Sequence, residues 1–207
     1  MKTVAARARE IQDFLEVPFA LENTSSYLTY RASTLAEWEF ISEIAEIADI
    51  GLLFDVNNVF VTSYNHGLDP VRFVRSVPHE RLLQIHLAGH TNLGHTIIDT
   101  HEGHVIDPVW DLYRLTIELA GSVPTIIEWD DAIPELEVLL AEAEKARRER
   151  DLALAARVEG RTTLDEGALE RIRTAARPPD GRPETPEDEG HGWRQGGPRE
   201  TPREAAE

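Results

Sequence analysis

The chain has 207 residues, is 41% apolar, contains no cysteine and carries a formal charge of −17. The apolar share suffices for a buried core, whereas the lack of cysteine excludes a disulfide framework, a thiolate metal site and a cysteine nucleophile. The acidic balance argues against nucleic-acid binding, because phosphates need a basic footprint.

The acid is concentrated where the apolar residues are: residues 1–150 hold 25 Asp and Glu against 12 Lys and Arg, and residues 151–207 hold 13 against 9. Most of this is expected on solvated helix surfaces. The charged opening segment does not read as a secretory signal, and no apolar run is long enough to span a membrane. A cytoplasmic protein without membrane attachment is the default expectation.

Residues 1–15 read as a helix, with Val4, Ile11, Phe14 and Leu15 near helical spacing. The apolar run 17–21 (VPFAL) then ends in Glu22-Asn23. Ser33 or Thr34 can cap a helix through Ala48, with Glu37 completing a capping box. Residues 50–54 (IGLLF) end in Asp55, followed by Asn57 and Asn58. Asp69-Pro70 opens a helix through about Ser76. Residues 82–87 (LLQIHL) contain His86 and run into His90, and residues 96–98 (TII) end in Asp99-Thr100-His101. Asp107-Pro108 opens another helix, residues 123–127 (VPTII) end in Glu128-Trp129-Asp130, and Ile133-Pro134 opens a further helix. Residues 151–176 have room for extra helices, at 152–158 and 164–176. Residues 177–207, rich in Pro, Gly and charge, are expected to form a disordered tail.

Each apolar run has strand length and no polar alternation, which suits strands buried on both faces of a parallel sheet. Strand and helix alternate, so the expected architecture is α/β with right-handed crossovers. In such folds ligands bind at the carboxyl ends of the strands. Those ends carry Glu22, Asp55, His86, Asp99, His101 and Glu128. Taken singly, a strand-end acid is more often a cap or turn residue, and Asp55 before two asparagines fits that description. Taken together, converging carboxylates repel unless cations sit among them. With nitrogen and oxygen donors alone, iron, manganese and zinc are the candidate ions. Asn23 and Asn58 can donate amide oxygens or pin loops, and His90 can serve as an outer ligand or acid–base group. Trp129 is a candidate pocket wall, Trp38 and Trp110 are expected to pack on the sheet, and His66, His79, His95, His104 and His191 are read as surface residues.

Several motifs occur in unbroken order: LeuGluAsn with ThrSerSerTyr (21–27), GluTrpGluPhe (37–40), LeuPheAspValAsnAsnValPheVal (53–61), AsnHisGly (65–67), IleHisLeuAlaGlyHis (85–90), IleAspThrHis (98–101), ValTrpAspLeuTyr (109–113) and IleGluTrpAsp (127–130). Over roughly residues 5–146 the chain resembles the multinuclear non-haem iron-dependent oxidases, also catalogued as domain of unknown function 692 and uncharacterised protein family 0276. The resemblance implies a TIM-barrel-like fold of the xylose-isomerase kind. It also implies a site of two or three irons, dioxygen-dependent modification of ribosomally made precursor peptides, often at cysteine, and a small leader-recognition partner protein. Carried onto matching positions, Glu22, Asp55, His86, Asp99, His101 and Glu128 would be iron ligands, with Asn58 and His90 as weaker candidates. The five strands read here fall short of the eight of a full barrel, and two further histidine ligands of the family lie in the part with no counterpart. The expectation is therefore an N-terminally truncated barrel, for which a truncated gene, a mis-called start and one half of a split enzyme are three origins. Two other functions stay open: a non-catalytic remnant or subunit that completes a barrel with another chain, and, more weakly, a metal-dependent sugar isomerase-like barrel.

Overall fold

A computed structural model describes residues 1–30 and 32–179. All but the first three residues of the expected disordered tail lie outside the described residues. In chain order the elements are α1 (Lys2–Leu15), β1 (Ala20–Glu22), α2 (Glu37–Ala48), β2 (Gly51–Asp55), α3 (Val56–His66), α4 (Pro70–Ser76), β3 (Leu82–Ala88), β4 (Thr91–Asn92), β5 (Ile97–Ile98), α5 (Asp107–Ala120), β6 (Thr125–Glu128), α6 (Leu136–Val158) and α7 (Glu166–Ala175). The main sheet has the order β1-β2-β3-β6, and every pairing in it is parallel.

The run 96–98 is not a fifth parallel strand. It forms β5, which pairs antiparallel with β4 in a separate two-stranded ladder. The three residues Thr96, Ile97 and Ile98 before Asp99 are too few to cross the sheet. Asn65 of α3 fixes them instead, its Nδ2 donating to Ile97 O (2.9 Å) and its Oδ1 accepting from Ile97 N (2.8 Å).

Local chemistry explains most element boundaries. Helix α2 starts at Glu37, not after Thr34, because Ala36 N donates to the side chain of Glu39 (3.0 Å) and so fixes a later first turn. Asp69 caps α4 by accepting from Val71 N and Arg72 N, with Pro70 at the first helical position. Helix α6 begins at Leu136, beyond Pro134, and runs unbroken over residues expected to form two helices. Its Ala-, Glu-, Lys- and Arg-rich sequence has no Gly or Pro to stop it. Helix α1 packs through its small residues Ala5 and Ala8, while Ile11, Phe14 and Leu15 of the expected apolar stripe are exposed. Trp38 meets Phe73 edge-on, and Phe73 in turn meets Phe54 of β2.

Register decides which face of the sheet carries chemistry. Asp55 lies opposite His86, Glu22 opposite Leu53, and Ala88 opposite Glu128. Because side chains alternate with period two, Glu22, Asp55, His86 and Glu128 all fall on one face. The opposite face presents Leu52, Phe54, Ile85 and Leu87, each at most 1% exposed, to the helices. The strands are thus buried by helices on one side only, and Ile126 on the ligand face remains 44% exposed.

Gly89, between β3 and His90, touches the loop that follows β5: a Cβ there would stand 2.2 Å from Glu102 O and 2.4 Å from Gly103 O. Gly89→Ala should force two backbone segments apart at a cost of about 1–3 kcal/mol. Calorimetry of the variant should therefore find a Tm lower by roughly 2–10 °C.

Candidate metal centre

The site is built by the ends of four parallel strands and one loop. Asp55 closes β2 and caps α3, its Oδ1 accepting from Asn58 N (2.6 Å). Its Oδ2 is buried and has no hydrogen-bond partner. Asn23 continues the β1–β2 pairing with its side chain, accepting from Asp55 N and donating to Asp55 O, both at 2.9 Å. Asn58 Nδ2 donates to Asn23 O (3.0 Å), while Asn58 Oδ1 stays buried without a partner. Asn23 therefore pins the loops, and of the two asparagines Asn58 retains a free amide oxygen.

Glu22, Asp55, His86 and Glu128 each present one ligand atom, and these atoms lie within 4.8 Å of one another. His86 Nδ1 stands 2.8 Å from Glu128 Oε1 and 3.7 Å from Glu22 Oε1. It nevertheless makes no hydrogen bond: the contact is close but misdirected. A nitrogen and carboxylate oxygens crowded together without bonding one another suit a cation between them.

A second group forms at the same edge. His101, Glu128 and Asp130 also offer ligand atoms within 4.8 Å of one another. His101 Nδ1 is 3.1 Å from both Glu128 Oε2 and Asp130 Oδ2, and its Nε2 is 3.1 Å from Asp99 Oδ1. The chain reaches this position through a left-handed turn at His101 (φ 50°), held by Asp130 N donating to His101 O (2.9 Å). Asp99 lies outside both groups. Its carboxylate accepts from Asn57 Nδ2 (2.8 Å) and Ser25 Oγ (3.0 Å).

His90 stands behind this rim, stacked on Phe60, with Nδ1 2.7 Å from Asn57 Oδ1. Asn57 uses its amide hydrogens on Asp99 and Gly89, so its oxygen is the acceptor and His90 Nδ1 the donor. Burial lowers the His90 pKa to about 4, against the pull of Asp99. The ring is thus neutral near pH 7, with the Nε2 lone pair free.

Asp130 was not singled out in the sequence. Its signal is the spacing Glu128-x-Asp130, two acids on one side of an extended segment. Helix α3 was missed as well, although Asp55 at its start and Gly67 (φ 69°) at its end are ordinary helix signals. Trp129 packs edge-on against His104, whose Nδ1 is 2.6 Å from the buried Glu142. His66 and His79 contact backbone carbonyls of Ser26 and Val74, and His95 is exposed. His191 lies outside the described residues.

Charge crowding leaves its mark on titration. Burial, reinforced by the charges of Asp99 and Glu22, raises the Asp55 carboxyl to about 8, although its bond from Asn58 N opposes this. Burial likewise raises Glu22. Contact with Asp99 lifts His101 to about 9 in spite of burial. The metal-free site thus holds protons where a cation would otherwise supply positive charge.

The fold and this rim define an α/β protein with a carboxylate–imidazole cluster at the carboxyl ends of parallel strands. Comparison with known proteins gives the family. Residues 1–150 match the family described as RiPP precursor modification enzyme MbnB/TglH/ChrH, RiPPs being ribosomally synthesised, post-translationally modified peptides. A UPF0276 protein of Anaeromyxobacter sp. (strain Fw109-5) is 44% identical over 169 residues, covering 82% of this chain and 57% of that protein. UPF0276 proteins of Acaryochloris marina and Caulobacter vibrioides are 44% and 45% identical over 69% and 71% of this chain, and 52% of each relative. The chain belongs to the MbnB/TglH/ChrH family and spans about half the length of the curated relatives it matches.

A carboxyl whose pKa is higher in the folded state than in the unfolded chain keeps its proton on folding, so its stabilising effect fades as pH rises between the two values. Metal-free protein should accordingly lose stability between about pH 4 and 8 through Asp55. Asp55→Asn should remove this slope and raise the metal-free Tm at pH 8 by a few degrees, about 2–4 °C per kcal/mol relieved. The same variant should lose metal uptake, as read by thermal melts and elemental analysis.

Proposed function

We propose that residues 1–150 are part of a TIM-barrel-like, iron-dependent oxidative enzyme that modifies a ribosomally made precursor peptide at cysteine, in the cytoplasm and with a small leader-recognition protein. The observation that carries this reading is the convergence of Glu22, Asp55, His86 and Glu128 from four neighbouring parallel strands. Their donor set is nitrogen and oxygen only, which suits iron, with manganese and zinc as alternatives. Glu22, Asp55, His86 and Glu128 would hold one ion, and His101, Glu128 and Asp130 a second. Asp99 would steady His101, and the buried Asn58 Oδ1, which has no hydrogen-bond partner, would be a further oxygen. Bound iron would supply dioxygen chemistry and electron transfer.

The protein's own residues prepare that chemistry. Asn57 holds Asp99 with its amide hydrogens and His90 with its oxygen, fixing the tautomer of the imidazole. His90 keeps a proton at Nδ1 and offers Nε2 as the acceptor for another. Asn23 and Asn58 lock the chain around Asp55, so the ligand face is set before any ion arrives.

A second reading, a subunit that completes a barrel with another chain, is favoured by the outer strands. Among the described residues β1 and β6 each pair on one side only, and Val17 near β1 and Leu140 beside β6 are 55% and 57% exposed. Anaerobic reconstitution with ferrous iron separates the readings: two or more irons per chain, by elemental analysis, is the result expected of the enzyme, and one or none favours the subunit. Glu22→Ala and Asp99→Ala should lower iron content sharply, whereas His95→Ala should leave it unchanged. Equal losses in all three would overturn the assigned ligand set.

A further inference from the structure

One buried acid takes no part in the two ligand groups. Glu142, in the first half of α6, is 7% exposed, and its Oε1 lies 2.6 Å from Nδ1 of His104, in the segment between β5 and α5. A carboxylate accepts, so Nδ1 donates, and the neutral ring presents the Nε2 lone pair on the edge turned away from Glu142. The pair is lopsided: the His104 side chain is 66% exposed and that of Glu142 9%. The imidazole also meets Trp129 edge-on, with ring centroids 5.2 Å apart. Trp129 sits between Glu128 and Asp130, and Asp130 N donates to His101 O, so His104 stands beside the second ligand group.

A tether between loop and helix does not need this arrangement. Lys145, one turn further along α6, already reaches Asp107 (3.4 Å) and covers the Trp110 ring (4.9 Å). Both side chains that touch His104 also keep a buried polar atom without a hydrogen-bond partner, Oε2 of Glu142 and Nε1 of Trp129. Unsatisfied buried atoms cost stability, which a purely structural contact has no reason to bear. A buried carboxylate that holds an accessible imidazole in one tautomer is instead the arrangement of a proton acceptor. His90, by contrast, is stacked on Phe60 and backed by the neutral amide oxygen of Asn57. A proton gained by His104 would lie against a carboxylate.

Resting on the peptide-modifying reading, we propose that His104 and Glu142 form a proton-transfer dyad that activates the cysteine of the incoming peptide at the rim. The thiol S–H bond breaks, its proton bonds to His104 Nε2, and the electron pair stays on sulfur as the thiolate, the form that binds a metal. Glu142 is a positioning residue: it fixes the tautomer and lies against the charge that the ring acquires.

The test uses the full chain without metal, ¹⁵N-labelled at histidine, and the peptide acetyl-Gly-Cys-Gly-amide. The chain has no cysteine, so every thiol signal belongs to the peptide. The ring nitrogen shifts should show neutral His104 as the Nδ1–H tautomer, changing in Glu142→Ala to the Nε2–H form usual in water. The chain should speed alkylation of the peptide by iodoacetamide at least about fivefold, a small part of the roughly 10²–10⁴-fold that a positioned base can supply. His104→Gln should abolish that gain with its Tm unchanged, Glu142→Ala should remove most of it, and His95→Gln should keep it. An Nε2–H tautomer in the unaltered chain, no acceleration, or equal acceleration by His104→Gln would overturn the dyad. Iron uptake is measured on the same preparation: uptake without thiol activation removes the dyad and spares the metal reading. Thiol activation without uptake supports the dyad and counts against the metal.

Discussion

Like charges converging on one face of a parallel sheet are the constraint from which the rest of this structure follows. Each of four neighbouring strands brings an acid or an imidazole to the same edge, and register forbids any of them from turning away. Asp55 shows the conflict at one residue. One oxygen is spent on the first turn of α3, and the other lies buried without a partner. Burial of an unpaired carboxylate is costly, so the metal-free protein keeps a proton there. A cation would replace that proton without disturbing the cap, because cap and ligand use different oxygens.

Around this edge the protein spends its polar residues on rigidity. Helix α3 is buried from Val56 through Asn65, yet it carries three asparagines, a threonine and a serine. Asn57 reaches Asp99 and His90, Asn58 reaches Asn23, and Asn65 holds the β4–β5 ladder. Each of these side chains ties a loop to the helix. A buried helix with polar faces is tolerable when its groups are bonded in this way, and it makes α3 the frame on which the loop half of the site is mounted.

How much of this could be read from the amino-acid order depended on whether local pattern and tertiary setting agreed. Strands β1, β2, β3 and β6 were legible because unbroken apolar runs and their terminal acids coincide with the observed elements, and Glu22, Asp55, His86 and Glu128 do meet. The antiparallel β5 was not distinguishable from a parallel strand, since a short run such as Thr96-Ile97-Ile98 followed by an acid looks the same in both settings. Asn65, more than thirty residues earlier, decides between them. Helix α3 was hidden because Val56, Val59 and Val61 favour strands, and only burial on all sides overrides that preference. In α1 the larger side chains suggested the packing face, but close approach to α2 selects Ala5 and Ala8 instead.

The β4–β5 excursion has a consequence for how such a centre can diversify. The first cluster is spaced by the sheet, whose strand separation of about 4.8 Å is invariant. Asp99 and His101 instead hang from a hairpin, where insertions are easily accommodated. The gap between the two ligand groups is therefore adjustable through loop length alone, leaving the scaffold untouched.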